Sequence, residues 1–205
     1  MRDVLTAAHR NSPTSRRHMI RARLSAIVVA SLLTSAANAQ STYRLLATGK
    51  TSTMQKEMQE AGDAGFHFVA VMGGETALGG KEAVVLMEKT SEDTAKYSYR
   101  LLATTKTSTL EKELREVADG GFNMVGQTVF ESMLGGKESA AIVEKRSTDV
   151  ATRYEYRLIA TAKTSTLQKE LQELADQGFR ALGMTVGKTA MGGHELVVIA
   201  RRVAK

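Results

Sequence analysis

The chain has 205 residues, with 28 basic and 22 acidic side chains, a net charge of +6, one proline, no tryptophan and no cysteine. The lack of cysteine excludes disulfide staples, thiolate metal sites and a cysteine nucleophile. The charge does not indicate a nucleic-acid binder: residues 1–39 hold six arginines and one aspartate, and without them 22 basic and 21 acidic residues remain, whereas a phosphate-backbone surface needs a clustered basic excess.

Residues 1–39 have the layout of a secretory signal. Arg21 and Arg23 precede an apolar stretch from Leu24 to Leu33, and Ala37-Asn38-Ala39 offers a small-x-small cleavage pattern before Gln40. The apolar stretch is too short to span a bilayer, so no membrane span is expected after cleavage. Met19 is an alternative start, and Ser15-Arg16-Arg17-His18-Met19-Ile20 resembles a twin-arginine motif, so general secretion and twin-arginine export both stay open. Either route leads to the periplasm or outside the cell.

From residue 43 onward one module is written three times. Tyr-Arg-Leu opens it at Tyr43, Tyr99 and Tyr156, and Lys-Thr-Ser-Thr follows at Lys50, Lys106 and Lys163. Gly-Phe comes next at Gly65, Gly121 and Gly178, and Gly-Gly at Gly79, Gly135 and Gly192. The landmarks are offset by 56 and then 57 residues, and a fixed period of this kind marks an array of supersecondary units. The repeats run over 43–89, 97–146 and 154–203, joined by short polar linkers.

Each repeat opens with a short strand, because Tyr43, Leu45 and Ala47 alternate with Arg44, Leu46 and Thr48. A helix follows. Ser52 with Gln55, Ser108 with Glu111 and Ser165 with Gln168 fit the capping box, in which the serine accepts from a free N–H of the first turn. Apolar residues at Met54, Met58 and Ala61, at Leu110, Leu114 and Val117, and at Leu167, Leu171 and Leu174 give each helix one buried stripe. Gly65, Gly121 and Gly178 end the helices where a left-handed backbone is needed. Two strands around the Gly-Gly loop complete the unit as β-α-β-β. Ala70, Gly126 and Gly183 are small residues that would admit a close neighbour in the second strand. The third strand, as in Ala83-Val84-Val85-Leu86-Met87, is apolar on both alternating faces, so both faces are expected to be covered.

The expected fold class is α+β: three tandem β-α-β-β repeats, each a three-stranded sheet with one helix on one face, packed into one compact pseudo-threefold body. Beads on a string are the alternative. The run Tyr97-x-Tyr99-Arg100, the helix residues Leu110, Leu114 and Ala118, and Gly121-Phe122, with counterparts in the third copy, resemble a small bacterial domain of unknown function. That family reads Tyr-x-Tyr-Lys-Val, a Leu-rich helix and Gly-Trp, with Trp where this chain has Phe. The resemblance implies the β-α-β-β fold and no activity.

The candidate chemistry is sparse. Lys50, Ser52 and Thr53, Lys106, Ser108 and Thr109, and Lys163, Ser165 and Thr166 stand at helix starts, where free N–H groups and a lysine can hold a phosphate, sulfate or carboxylate. The same residues also read as plain helix caps. Arg44, Arg100 and Arg157 would add anion contacts if the repeats met around an axis; otherwise their stems lie along apolar surface. His67 and His194 occupy unrelated positions, so no metal or cofactor is expected. The methionines (Met54, Met58, Met72, Met87, Met124, Met133, Met184 and Met191) read as core filler, with Met133 and Met191 near hairpin tips. No base repeats beside a partner for acid–base or nucleophilic work, so an enzyme is not expected. The sequence suggests an exported, non-enzymatic scaffold or protein-interaction module, with a protein partner or self-association. A small-anion binder is the second possibility.

Overall fold

In a computed structural model of the chain, which describes residues 40–75, 81–131, 137–150, 152–188 and 193–204, every copy runs strand, helix, strand, strand. The export segment, most of the Gly-Gly loops, Met133 and Met191 lie outside the described residues. The first repeat comprises β1 (Ser41–Thr48), α1 (Thr51–Asp63), β2 (His67–Glu75) and β3 (Lys81–Thr90). The second comprises β4 (Tyr97–Thr104), α2 (Thr107–Asp119), β5 (Asn123–Glu131) and β6 (Lys137–Arg146). The third comprises β7 (Tyr154–Thr161), α3 (Thr164–Asp176), β8 (Arg180–Lys188) and β9 (His194–Val203).

Each repeat is an antiparallel three-stranded sheet with its last strand in the centre, in the orders β1-β3-β2, β4-β6-β5 and β7-β9-β8. The fold is therefore α+β with three repeated units. A bulge interrupts the second strand at one place in every copy, between Phe68 and Ala70, Met124 and Gly126, and Ala181 and Gly183. The extra residue turns the strand and lets residues on either side of it face different neighbours.

The glycines end the helices as expected. Gly65, Gly121 and Gly178 have φ of 86°, 79° and 82°. Each donates its N–H three residues back, and the following phenylalanine donates five back: Gly65 to Gly62 and Phe66 to Ala61 in the first copy, both at 3.0 Å. That is a Schellman closure, which satisfies carbonyls the helix leaves open.

The helix starts differ from the expected capping box. Lys50, Lys106 and Lys163 are the N-cap residues, and no side chain caps any of the three helices. Ser52, Ser108 and Ser165 sit inside the first turn, two positions past the cap. The strand-ending threonine does the local work instead. Thr48, Thr104 and Thr161 accept from the N–H of Lys50, Lys106 and Lys163 at 3.1, 3.2 and 3.3 Å.

The repeats join through their helices. α1 packs against β1 of its own sheet and against β4 of the next, while α2 packs likewise on β4 and β7. Met54, Met58 and Ala61 therefore share one core with Val85 and Met87 of β3 and with Tyr97, Tyr99 and Ile142 of the second repeat. Leu110, Leu114 and Val117 share the next core with Tyr156 and Ile199 of the third. The third core has only Ile159, Leu167 and Val198 fully inside, with Leu171 and Leu174 half-buried at its edge, because no further sheet among the described residues covers α3. The second strands also stack from repeat to repeat, β2 on β5 and β5 on β8.

Burial along the central strands follows from this arrangement. In β6 the run Ser139–Val143 is buried on both faces, and in β9 so is Val197–Ala200. In β3 only Ala83, Val85 and Met87 are buried, while Val84 and Leu86 are half-buried, because among the described residues no helix precedes the first sheet. The methionines divide in the same way. Met54, Met58, Met87 and Met124 are core residues, but Met72 and Met184 are 65% and 62% exposed, contrary to the core-filler reading.

Candidate functional site

Lys50, Lys106 and Lys163 are exposed at the three helix starts, with Ser52, Ser108 and Ser165 exposed two residues on and Thr53, Thr109 and Thr166 half-buried behind them. The strand arginines have a clear partner. The guanidiniums of Arg44, Arg100 and Arg157 lie over the rings of Phe66, Phe122 and Phe179, at 4.5, 4.9 and 5.9 Å from the centroids. An arginine over a phenyl face gains about 0.5–1 kcal/mol at an exposed site. Each stack stays within its own repeat and ties the first strand to the residue that follows the helix. Arg157 also lies 3.9 Å from Glu111 of the preceding helix. The recurrence of arginine is thereby explained as a structural pair with the Gly-Phe phenylalanine. Spacing alone hid the pairing, because the two residues are about twenty positions apart.

The densest polar chemistry lies at the seam between the first and second repeats. β4 is an edge strand, with outward N–H and C=O groups that need partners. Two glutamines of α1 supply them. Gln55 Nε2 donates to the carbonyl of Tyr99 at 2.9 Å, and its Oε1 accepts from Leu101 N–H at 2.6 Å. Gln59 Oε1 accepts from Tyr99 N–H at 3.0 Å, while its Nε2 donates to Asp63 at 2.9 Å. The side-chain amides thus imitate a neighbouring strand. Gln55, expected to close a capping box, instead binds the next repeat. Gly62 allows the approach: a Cβ there would lie 2.2 Å from the carbonyl oxygen of Tyr97.

Deeper in this seam, the Tyr99 hydroxyl donates to Glu144 Oε2 at 2.5 Å, and the same oxygen accepts from Phe68 N–H at 3.2 Å. Burial, and then the Glu144 charge, push the Tyr99 hydroxyl far above its ordinary pKa, so it remains a donor. The adjoining linker is pinned by Asp93, which accepts from the Tyr97 hydroxyl, from Ala95 N–H at 2.9 Å and from Arg146 at 2.9 Å. Those bonds, led by the tyrosine's, hold Asp93 at a pKa of about 2.

The second seam keeps the geometry and changes the chemistry. Glu111 and Arg115 replace the two glutamines and pair with each other. The Tyr156 hydroxyl accepts from Met124 N–H at 2.8 Å, and Gln127 Nε2 donates to Thr185 Oγ1 at 2.9 Å. Gly126 and Gly183 fulfil the expected role of small residues that admit a close neighbour, whereas Ala70 is exposed. The Phe68 ring lies where a Cβ on Gly126 would come within 2.4 Å, and Met124 and Gln127 approach Gly183.

Among the described residues no His, Asp and Glu cluster has metal-binding geometry, and no helix is long and apolar enough to cross a membrane. What the fold defines is a tandem α+β repeat protein in which buried side-chain hydrogen bonds help to join one repeat to the next. Comparison with family models, curated proteins and solved structures finds no match to the chain.

Proposed function

We propose that the chain is an exported, non-enzymatic repeat protein serving as a scaffold through protein contacts at the two ends of its array, in the periplasm or outside the cell. The observation that carries this reading is where the large exposed apolar side chains lie. Tyr43, Leu45, Val69 and Met72 are on the first sheet, and Met184 and Val186 are on the third. Within the strands and helix of the middle repeat, none is exposed among the described residues. Apolar surface gathered in patches marks contact sites rather than scattered surface residues. Export is supported by Arg21, Arg23, the apolar stretch and Ala37-Asn38-Ala39. We also propose kinship with the small bacterial β-α-β-β domain, on Tyr97, Tyr99, Arg100, Leu110, Leu114, Ala118, Gly121 and Phe122. Cross-linking in the native envelope fraction, with mass spectrometry of the linked peptides, tests the scaffold reading. Links should concentrate on the first and third repeats, and an absence of any intermolecular link would sink it.

The second reading is a small-anion binder at the three lysine-led helix starts, favoured by the lack of any side-chain cap there. Titration calorimetry with phosphate and sulfate separates the two readings. The scaffold reading expects no saturable heat; heat that disappears in Lys50→Ala, Lys106→Ala and Lys163→Ala combined would transfer the function to the anion.

A further inference from the structure

The seam between repeats is used twice within the chain, and both halves of a third such seam are present but separated. A third seam needs the outer side of a helix and the strand-facing surface of a sheet. α3 and the third sheet provide the first half, and the open face of the first sheet provides the second. We propose that the chain assembles head to tail with further copies of itself, the α3 end of one copy docking on the β1 face of the next as α1 docks on β4. The proposal deepens the scaffold reading and rests on it.

The residue matches carry it. Gln168 and Gln172 of α3 stand where Gln55 and Gln59 stand in α1, so the terminal helix repeats the amide pair that grips β4. Gln172 is already posed like its counterpart, donating through Nε2 to Asp176 at 3.0 Å, as Gln59 does to Asp63 at 2.9 Å. Opposite, Tyr43 and Leu45 of β1 correspond to Tyr99 and Leu101, whose backbone groups the amides bind, and β1 is an edge strand. Tyr43 and Leu45 are 59% and 68% exposed, where Tyr99 is 2%. Tyr43 lies across the strands from Glu88, as Tyr99 lies across from Glu144, so the first sheet carries the same residue pair as the second.

The second strands agree. At the inner seam Gln127 meets Thr185; the equivalent pair at the outer seam is Met184 of one copy and Met72 of the next, both apolar and both exposed. Size is matched as well. Phe68 faces Gly126 at the first seam, and at the outer seam the same two places hold Ala181 and Ala70, both exposed. A small residue has replaced the ring where the glycine has gained a methyl. A contact between two different surfaces of one chain is heterologous, and it closes a ring or extends a filament according to its rotation.

Sedimentation velocity on the purified chain, at rising concentration, reads the assembly directly. The wild-type mass should increase in whole multiples of the single-chain mass. Leu45→Arg destroys the β1 face and Met184→Arg destroys the opposite face; both positions are exposed, so circular dichroism should be unchanged. Each variant alone should sediment as a single chain. Mixed in equal amounts they should form a dimer of twice the chain mass and go no further, since one live copy of each face remains. A wild type that stays a single chain at its highest soluble concentration overturns the proposal, as does a mixture that forms no dimer. If that single chain still cross-links to another protein through its end repeats, the scaffold reading stands and self-assembly is lost. If nothing cross-links, both fall.

Discussion

Tyr156→Ala is expected to cost the protein about 3–5 kcal/mol of stability, and Tyr99→Ala a similar amount, by the usual cost of deleting a buried aromatic side chain. Tyr43→Ala, at the same place in the first repeat, should cost less than about 0.5 kcal/mol, as most exposed substitutions do. The residue and its local strand are the same in all three copies. The difference is the preceding helix: Tyr99 and Tyr156 are 2% and 0% exposed against α1 and α2, while Tyr43 is 59% exposed and no helix among the described residues precedes it. Tyr156→Phe separates packing from hydrogen bonding. It keeps the ring and removes the acceptor of Met124 N–H, with an expected cost of about 1–3 kcal/mol for a buried donor left alone. Urea denaturation at low protein concentration, where association contributes least, measures the series. A Tyr43→Ala cost equal to the other two would show that the ends of the array are packed like its interior.

The middle repeat alone, residues 97–146, is expected to be unfolded. Its sheet buries Tyr99 and Ile142 under α1, and its helix buries Leu110 and Leu114 in a core completed by Tyr156 and Ile199. Cutting both neighbours away exposes two cores at once and leaves a unit of the size that rarely folds without staples. Circular dichroism of the fragment should show no cooperative thermal transition, whereas residues 40–205 should show one. A sharp transition in the isolated repeat would mean that each unit is self-sufficient and the shared cores are incidental.

Much of this fold could be read along the chain. The stripes Met54, Met58, Ala61 and Leu110, Leu114, Val117 repeat at helical spacing, and that spacing reports which side is buried whatever lies opposite it. Gly65, Gly121 and Gly178 were legible because a positive φ restricts the residue choice so strongly. The seams were far less visible. Ser52 and Gln55 have the spacing of a capping box, yet Thr48 holds the helix start and Gln55 reaches a strand 44 residues further on. Local spacing describes the first turn of a helix and says nothing of what is brought beside it. Burial of the repeated tyrosine escaped the sequence for the same reason, since Tyr43 and Tyr99 differ only in having a neighbour. The exposed Met72 and Met184 are apolar in composition and uncovered in place. As for the candidate site, Lys50, Lys106 and Lys163 were located at the helix starts from the sequence, but the pairing of Arg44 with Phe66 needed the folded chain.

The forward reach of each helix also orders events during synthesis. The first core draws on residues from Leu46 through Ile142, so α1 cannot find its permanent partner until the whole second repeat has emerged. Met54 and Met58 must wait, exposed, for a strand made about forty residues later. The first two repeats are each completed by the repeat that follows. Contacts that span this much chain are slow to close, and the nascent protein stays extensible until its last strand is made.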